Sequence, residues 1–370
     1  MKIINVALTG GPGGGKTSVL KAINGLITLK NENIIELANK KIKLITVPET
    51  ATELIANGIN PNEALDVLDF QNILFSIQKA KEEASLNAIK FNYDTDMCMF
   101  IYDRGLLDGM AYLKDKNEFN KILFNNNTNE INLLDKYDAV IDLLSTATCA
   151  EEKYGFESNA SRFEDTKWAK KVDSKTTNAW LGHRNLKIFD SSVPLDEEIN
   201  KVLNYLKDYI LNGQAIVNNE YRVEVDPGEL YMYNDENSRK ISICDTEIDY
   251  GLGDIVNTVL TKRTYKNNST YFLKFITELE DEKRIIKEEM LDLNKYNELL
   301  LRYKKKNQVK RDELSFFYNR VLYKLSFYED FTTMSFESSK EDMNINLPMG
   351  IDIIDNNQKK LEKKIEYGNI

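Results

Sequence analysis

Apolar residues in the first half of the chain fall into two alternating patterns. Lys2–Leu8, Lys41–Val47, Met97–Tyr102, Ala139–Leu144 and Leu186–Phe189 are short, nearly continuous apolar runs, which predict buried strands. Between them the spacing is helical: Lys16–Leu29, Pro61–Lys90, Thr166–Trp180 and Leu195–Leu211. In the last of these, Leu195, Ile199, Val202, Leu203, Leu206 and Ile210 form one stripe. Strands alternating with helices predict an α/β domain with a parallel sheet covered on both faces. Lys116–Asn129, rich in asparagine and weakly patterned, reads as a surface excursion.

The texture changes near Asn212–Asn219, which sets the expected domains at 1–212 and 213–370. Beyond it, period-two alternation dominates. Tyr221–Val225, Arg239–Cys244, Ile255–Thr264, Thr270–Thr277, Arg284–Met290 and Ser315–Phe327 are the expected strands. Leu293–Tyr303 is a helical interruption, and Gln358–Lys364 is a charged helix or frayed end. The expectation is an antiparallel β-rich domain, closed or nearly closed into a barrel.

Length agrees with two domains, since 370 residues is long for one. A net charge of −10 argues against a general nucleic-acid binder, which needs a positive field. The three cysteines, Cys98, Cys149 and Cys244, have no metal-ligand spacing and read as reduced thiols. No apolar run reaches the length of a spanning helix. The expected location is the cytoplasm, with room for peripheral attachment to a membrane.

The clearest chemistry is Gly10-Gly11-Pro12-Gly13-Gly14-Gly15-Lys16-Thr17, between an apolar strand and an apolar helix. This is a complete phosphate-binding loop in its required context. Glycines let backbone N–H groups crowd against phosphate oxygens, and the helix N-terminus adds partial positive charge. Gly11, Gly13, Gly14, Gly15, Lys16, Thr17 and Ser18 are the expected nucleotide contacts. Lys16 would reach the β- and γ-phosphates, and the Thr17 hydroxyl would ligate Mg²⁺ carried by ATP or GTP.

Asp103 ends a predicted strand and Glu49 follows another, where ligands sit in parallel sheets. Asp103 is a candidate direct or indirect Mg²⁺ partner, a substrate contact, or else the cap of a helix starting near Gly105. Glu49 is a candidate for orienting or deprotonating an acceptor hydroxyl, or else an N-terminal helix charge. Arg162, in a polar loop after the fourth strand, is a candidate lid cation, with Arg104 as a second. His183 fits packing as well as substrate contact. No guanine-reading Asn-Lys-x-Asp follows a late strand, so the base is not legible.

Taken together, TGGPGGGKTS, TVPETATELI, IYDRGLLDGMAYL, YDAVIDLLSTA and NASRFEDTKWAKKVDSKTTNAWLGHRNLKIFD resemble the domain shared by NadR-type nicotinamide riboside kinases and TRPL-translocation-defect proteins. Gly13 departs from the cysteine usual there. The resemblance implies GTP and phosphoinositide binding on the second reading, or ATP-dependent phosphorylation of a nucleoside on the first.

The second domain resembles CYTH or triphosphate-tunnel proteins. Arg222 stands where their first strand carries its second glutamate, and Tyr323-Lys324-Leu325-Ser326 lacks their late acid, so metal-dependent triphosphate hydrolysis is not expected. Arg222, Lys262, Arg263 and Lys274 are candidate contacts for a polyanion such as a phosphoinositide or triphosphate. Arg284, Arg320 and Lys324 complete that set. The same alternation also fits a solvated sheet face. Three functions stay open: a nucleotide-binding module with an anion-binding barrel, a small-molecule kinase, or a triphosphatase.

Overall fold

The structure, a computed structural model, describes residues 2–28, 32–62, 64–89, 94–151, 166–217, 220–229, 237–252, 256–279, 283–338 and 347–354. The chain divides into two compact units, Met1–Lys207 and Asp208–Ile370.

The first unit opens with β1 (Lys2–Thr9), the phosphate loop and α1 (Lys16–Gly25), followed by β2 (Ile34–Leu37) and β3 (Lys40–Val47). Next come α2 (Thr50–Ala56), α3 (Val67–Ala88), β4 (Met97–Asp103), a 3₁₀ helix over Asp108–Tyr112, α4 (Lys116–Asn125), α5 (Glu130–Asp135) and β5 (Ala139–Leu143). The short α6 (Thr146–Cys149), α7 (Thr166–Ala179), β6 (Leu186–Phe189) and α8 (Leu195–Asn212) complete it.

The sheet order is β2-β3-β4-β1-β5-β6, parallel except for β2, which pairs antiparallel with β3. Every residue of β5, and β4 from Met97 to Tyr102, is buried, as strands covered on both faces require. From β1 the chain steps over β4 to β3, returns to β4, then crosses β1 to reach β5 and β6. That reversal places a crevice at the carboxyl end of β1.

Several expectations need correction here. The short edge strand β2 is an addition. The helix expected from Pro61 starts at Val67, because Asp66 caps it by accepting from Asp69 N at 2.8 Å. The helix expected to Leu29 ends at Gly25. Lys116–Asn129 is no loose excursion. Asp115 accepts from Asn117 N and Glu118 N, and Phe119, Ile122 and Leu123 bury one face of α4.

The second unit is one antiparallel sheet, ordered β16-β8-β15-β14-β13-β9-β10-β11-β12-β7. Its strands are β7 (Gln214–Val217), β8 (Glu220–Val225), β9 (Ser238–Ile248), β10 (Val256–Tyr265), β11 (Asn268–Glu278) and β12 (Lys283–Leu291). After α9 (Leu293–Arg302) follow β13 (Lys305–Tyr318), β14 (Val321–Phe327), β15 (Thr332–Ser338) and β16 (Ile351–Ile353). The single strand expected at Ser315–Phe327 is a hairpin. Asn319 and Arg320 both take positive φ, 48° and 61°, as a two-residue turn demands. The tail at Gln358–Lys364 lies outside the described residues.

Directly paired residues share a sheet face. One face is apolar. Val223, Leu314, Phe316, Tyr323, Leu325 and Met334 form one cluster, and Ile248, Leu260, Leu273 and Leu291 form another under Tyr296 and Leu299 of α9. The other face carries charge and curls inward: Arg284 on β12 lies 3.6 Å from Glu220 on β8, strands near opposite ends of the sheet order. The barrel thus closes across a side-chain seam.

Phe316 is fully buried in the apolar cluster. Phe316→Ala is expected to cost about 3–5 kcal/mol, seen as a lower midpoint for the second unit in urea unfolding.

Candidate nucleotide and acceptor site

The phosphate loop owes its shape to close backbone approaches. Gly10, Gly13 and Gly15 take φ of 128°, 82° and 77°, which disfavour any side chain. A Cβ on Gly14 would lie 2.3 Å from Leu143 O, and one on Gly11 would lie 2.4 Å from Asp173 Oδ1. Asp173, buried on α7, accepts from Gly11 N at 2.9 Å, Ser145 N at 3.0 Å and Thr148 Oγ1 at 2.6 Å. Ser145 Oγ donates to Pro12 O. The loop is therefore tied to α6 and α7 as well as to its own helix.

Lys16 Nζ donates to Gly10 O at 2.7 Å and Gly11 O at 2.8 Å. Burial, with Arg104 beside it, brings its pKa down to about 8, against the pull of Glu49, Asp108 and Asp103.

Arg104 follows β4 with φ 75°, a conformation uncommon for a residue with a side chain. Its N–H donates to Leu8 O at 3.0 Å and its carbonyl accepts from Gln78 Nε2 at 2.9 Å. The guanidinium then reaches three groups. Nε donates to Glu49 Oε1, Nη1 donates to Gly10 O at 3.3 Å, and Nη1 lies 3.5 Å from Asp108 Oδ2. Asp108 is itself fixed, accepting from Thr9 Oγ1 and Trp180 Nε1, both at 2.7 Å.

Glu49 sits at the N-cap position of α2, so it is both the helix-terminal charge and the crevice carboxylate that the sequence leaves as alternatives. Burial works to raise its pKa, but Arg104, a hydrogen bond from Thr52 and Lys16 together outweigh burial and hold it below the usual value. Asp103 moves the other way. Burial and the Glu49 carboxylate push it up to about 6, against Arg104 and Lys16. Its side chain makes no hydrogen bond or ion pair among the described residues, and it caps no helix: Leu107 holds the N-cap of the 3₁₀ helix.

Two cavities meet at this point. One, of about 760 Å³, runs along Gly13–Ser18 to Thr146, Ser191, Val193, Pro194, Leu195 and Glu198. The other, of about 990 Å³, is walled by Phe70, Leu74, Tyr112, Leu113 and Trp168, with Asp66, Gln71 and Glu118 among its polar groups. Both include Pro12, Glu49 and Arg104.

The chain matches the AAA domain family AAA_28 over residues 5–197, more than half of its length. It belongs to that family. A search of curated proteins gives no match. Among solved structures, PH1819 from Pyrococcus horikoshii OT3 is similar at 19% identity, over 33% of this chain and 80% of its own, with a TM-score of 0.26. The inorganic triphosphatase NE1496 is similar at 13% identity, over 40% and 97%, with a TM-score of 0.27. PH1012 from the same Pyrococcus is similar at 15% identity, over 39% and 82%, with a TM-score of 0.25. Likeness at this level assigns no activity.

In this AAA domain, residues 13–18 and Glu49 line one crevice with Arg104, whereas Gly11 abuts Asp173 and Asp103 lines neither cavity. Arg162 lies outside the described residues. His183 is buried: Asn185 N donates to its Nδ1 and its Nε2 bonds Tyr137 O, both at 3.0 Å, so its place is structural. Asp108, Asp173 and Glu198 are absent from the sequence-based set. Their signal was an acid at a position where helical spacing expects an apolar residue. Asp173 shares a buried face with Val172, Thr176 and Thr177, and Glu198 with Val202.

In the barrel, Arg263, Lys274, Arg284 and Lys324 share the inward face with Arg311, Asp245, Glu288 and Glu313. Lys262 pairs with Cys244 and points to the opposite face, so it cannot act beside Arg263. Arg222 is exposed, its guanidinium 5.3 Å from the Phe331 ring centre, and Arg320 is a turn residue.

Gly14→Ala is expected to weaken nucleotide binding more than tenfold, because the added methyl collides with Leu143 O. Gly25→Ala, with nothing within 4 Å of its added methyl, is the matched control and should bind as the parent does. Calorimetric titration with nucleotide checks both.

Proposed function

We propose that the first unit is a nucleotide-dependent kinase that passes the terminal phosphoryl group of ATP or GTP to a hydroxyl on a small acceptor. The observation that carries this reading is the second cavity, which meets the phosphate-loop cavity at Pro12, Glu49 and Arg104. A binding module or simple hydrolase needs no such room. The walls suit a planar acceptor with polar substituents. Tyr112 and Trp168 lie 6.3 Å apart, and Asp66, Gln71 and Glu118 offer hydrogen-bond partners. A nucleoside-type acceptor, as in the NadR-type kinases, fits this description.

In this mechanism the loop N–H groups and Lys16 hold the phosphates, and Arg104 offsets charge on the moving group. Glu49, kept ionised by Arg104, orients the acceptor hydroxyl and draws off its proton. Mg²⁺ would be held by the Thr17 hydroxyl and Asp103, and would offset phosphate charge. Asp103 fits that place as an unpaired carboxyl with a raised pKa. Arg162 remains a lid candidate.

Turnover should rise with the right acceptor in a nucleoside panel that includes nicotinamide riboside. Glu49→Gln should then lower acceptor-dependent kcat by about 10²–10⁴. The rate should fall as pH drops through about 6, where Asp103 takes up a proton. Lys16→Ala should lose about 2–3 kcal/mol of nucleotide affinity. Tight nucleotide binding with no acceptor effect across the panel would return the unit to a binding module.

For the second unit we infer anion binding without hydrolysis, the ligand being a triphosphate or a phosphoinositide headgroup. Arg263, Lys274, Arg311 and Lys324 supply inward cations. The inward acids are engaged: Arg311 Nη1 lies 2.5 Å from Asp245 Oδ2, and Thr261 Oγ1 donates to the same carboxyl. Burial works to raise Glu313, and Lys324, Arg311, Arg263 and Lys274 together outweigh it. Among the described residues no group of three or more His, Cys, Asp or Glu is arranged to hold a metal. The Lys16→Ala protein should therefore show no metal-dependent triphosphatase activity. Robust release of phosphate from tripolyphosphate would overturn this.

A further inference from the structure

The phosphate-loop cavity has two ends, set by the strand order. At the β3–β4 end it meets the acceptor cavity through Glu49 and Arg104. At the β5–β6 end it is walled by Thr146, by Ser191 and Val193 from the segment after β6, and by Leu195 and Glu198 of α8. On the kinase reading above, the terminal phosphate points to the acceptor. The nucleoside half of the donor then has only the β5–β6 end to occupy.

The hydroxyls there are already engaged. Ser191 Oγ donates to Leu144 O, and Thr146 Oγ1 donates to Gly13 O at 3.4 Å. Glu198 differs. It is 2% exposed, yet its Oε1 has no hydrogen-bond partner among the described residues. Its Oε2 would lie 3.7 Å from a Cβ on Gly15, so the carboxyl flanks the loop itself. A buried polar atom without a partner is costly in a structure unless a ligand supplies one.

We propose that Glu198 reads the hydrogen-bonding edge of the donor's base, accepting either purine when it carries a proton and selecting guanine when it does not. The chemistry is complementary in each state. An ionised carboxylate only accepts, with two oxygens side by side, which matches the adjacent N1–H and N2 amino donors of guanine. A protonated carboxyl donates through one oxygen and accepts through the other, which matches N1 and the N6 amino group of adenine and equally O6 and N1–H of guanine. Only the carboxylate facing adenine is mismatched, leaving a buried polar group unpaired, the condition under which sites discriminate strongly.

Burial and Asp190, from the segment after β6, push the Glu198 carboxyl up to about 7. Asp196, Glu197 and Lys201 are the neighbouring charges on its own helix. Lys16 and Lys21 of α1, with Glu49 and Arg104, line the same cavity. Below its pKa the carboxyl carries the proton and pairs with either base, and above it the carboxylate favours guanine. Bound phosphates add negative charge and move the crossover upward.

The test uses the full chain with Mg²⁺ and non-hydrolysable ATP and GTP analogues, titrated calorimetrically from about pH 6 to about pH 8.5. The ratio of the two Kd values should move at least tenfold toward GTP as pH rises. Glu198→Gln, an amide that always donates and accepts, should bind both nucleotides with a ratio that does not change with pH. Tripolyphosphate, which has no base, reports pH effects on the phosphate contacts alone. A flat ratio in the parent protein, or the parent's shift persisting in Glu198→Gln, overturns the inference. Failure of tripolyphosphate and both nucleotides to bind overturns it together with the phosphate-cradle reading. A negative acceptor screen bears on the kinase reading alone.

Discussion

The Arg104 guanidinium is the tie on which the crevice depends. It is a buried cation on a left-handed residue, reaching the phosphate loop at Gly10, the start of α2 at Glu49, and the 3₁₀ helix at Asp108. Each partner belongs to a different stretch of chain. Buried ion pairs add little net stability, but breaking one costs about 3–5 kcal/mol. Such a tie therefore acts mainly on geometry, holding three segments in one register. Asp108 passes the constraint on to Thr9 of β1 and to Trp180 beyond α7. From the other side Asp173 pins Gly11 and Ser145. The loop that meets phosphate is thus held by side chains from both flanks of the sheet.

The barrel solves a different electrostatic problem. Its inward face carries both signs of charge, and the acids are matched to bases within the sheet. Lys274 shows the balance: burial lowers its pKa, and Glu288 and Asp245 raise it in opposition. An incoming anion would compete with Asp245 and Glu313 for cations already engaged. Its affinity would then depend on how many cations it meets at once, which favours several closely spaced phosphates over one. The same pairing withholds the acids from a metal ion.

Much of this was legible in the sequence because it is local. The phosphate loop is contiguous, and its strand-and-helix context is set by apolar runs on either side. The β-rich character of the second unit follows from period-two alternation. What escaped depends on contacts across the fold. Asp108, Asp173 and Glu198 look like ordinary charged residues until helical phase puts them on buried faces. Lys262 and Arg263 are adjacent in sequence and read as equivalent, yet strand pleat sends them to opposite faces. On the inward face Glu220 of β8 is joined by Asp245, Glu288 and Glu313 from other strands, which only register reveals. In Lys116–Asn129, polar caps and asparagines mask the apolar face formed by Phe119, Ile122 and Leu123.

Glu49 and Asp103 show how two neighbouring carboxyl groups can be given different tasks. Both are partly buried, and burial alone would raise each. Only Glu49 touches the Arg104 guanidinium, so only Glu49 is held below its usual pKa. Its negative charge then becomes one of the terms that lifts Asp103 to about 6. Pairs separated in this way are how a single site obtains distinct acid–base roles. The sheet order adds direction. Over β3 and β4 lie the paired carboxylate and the larger cavity, over β1 the glycine cradle, and over β5 and β6 the far end with Glu198. On the proposed kinase reading, a phosphoryl group moving along that line would leave the β1 cradle toward Glu49, the carboxylate held below its usual pKa.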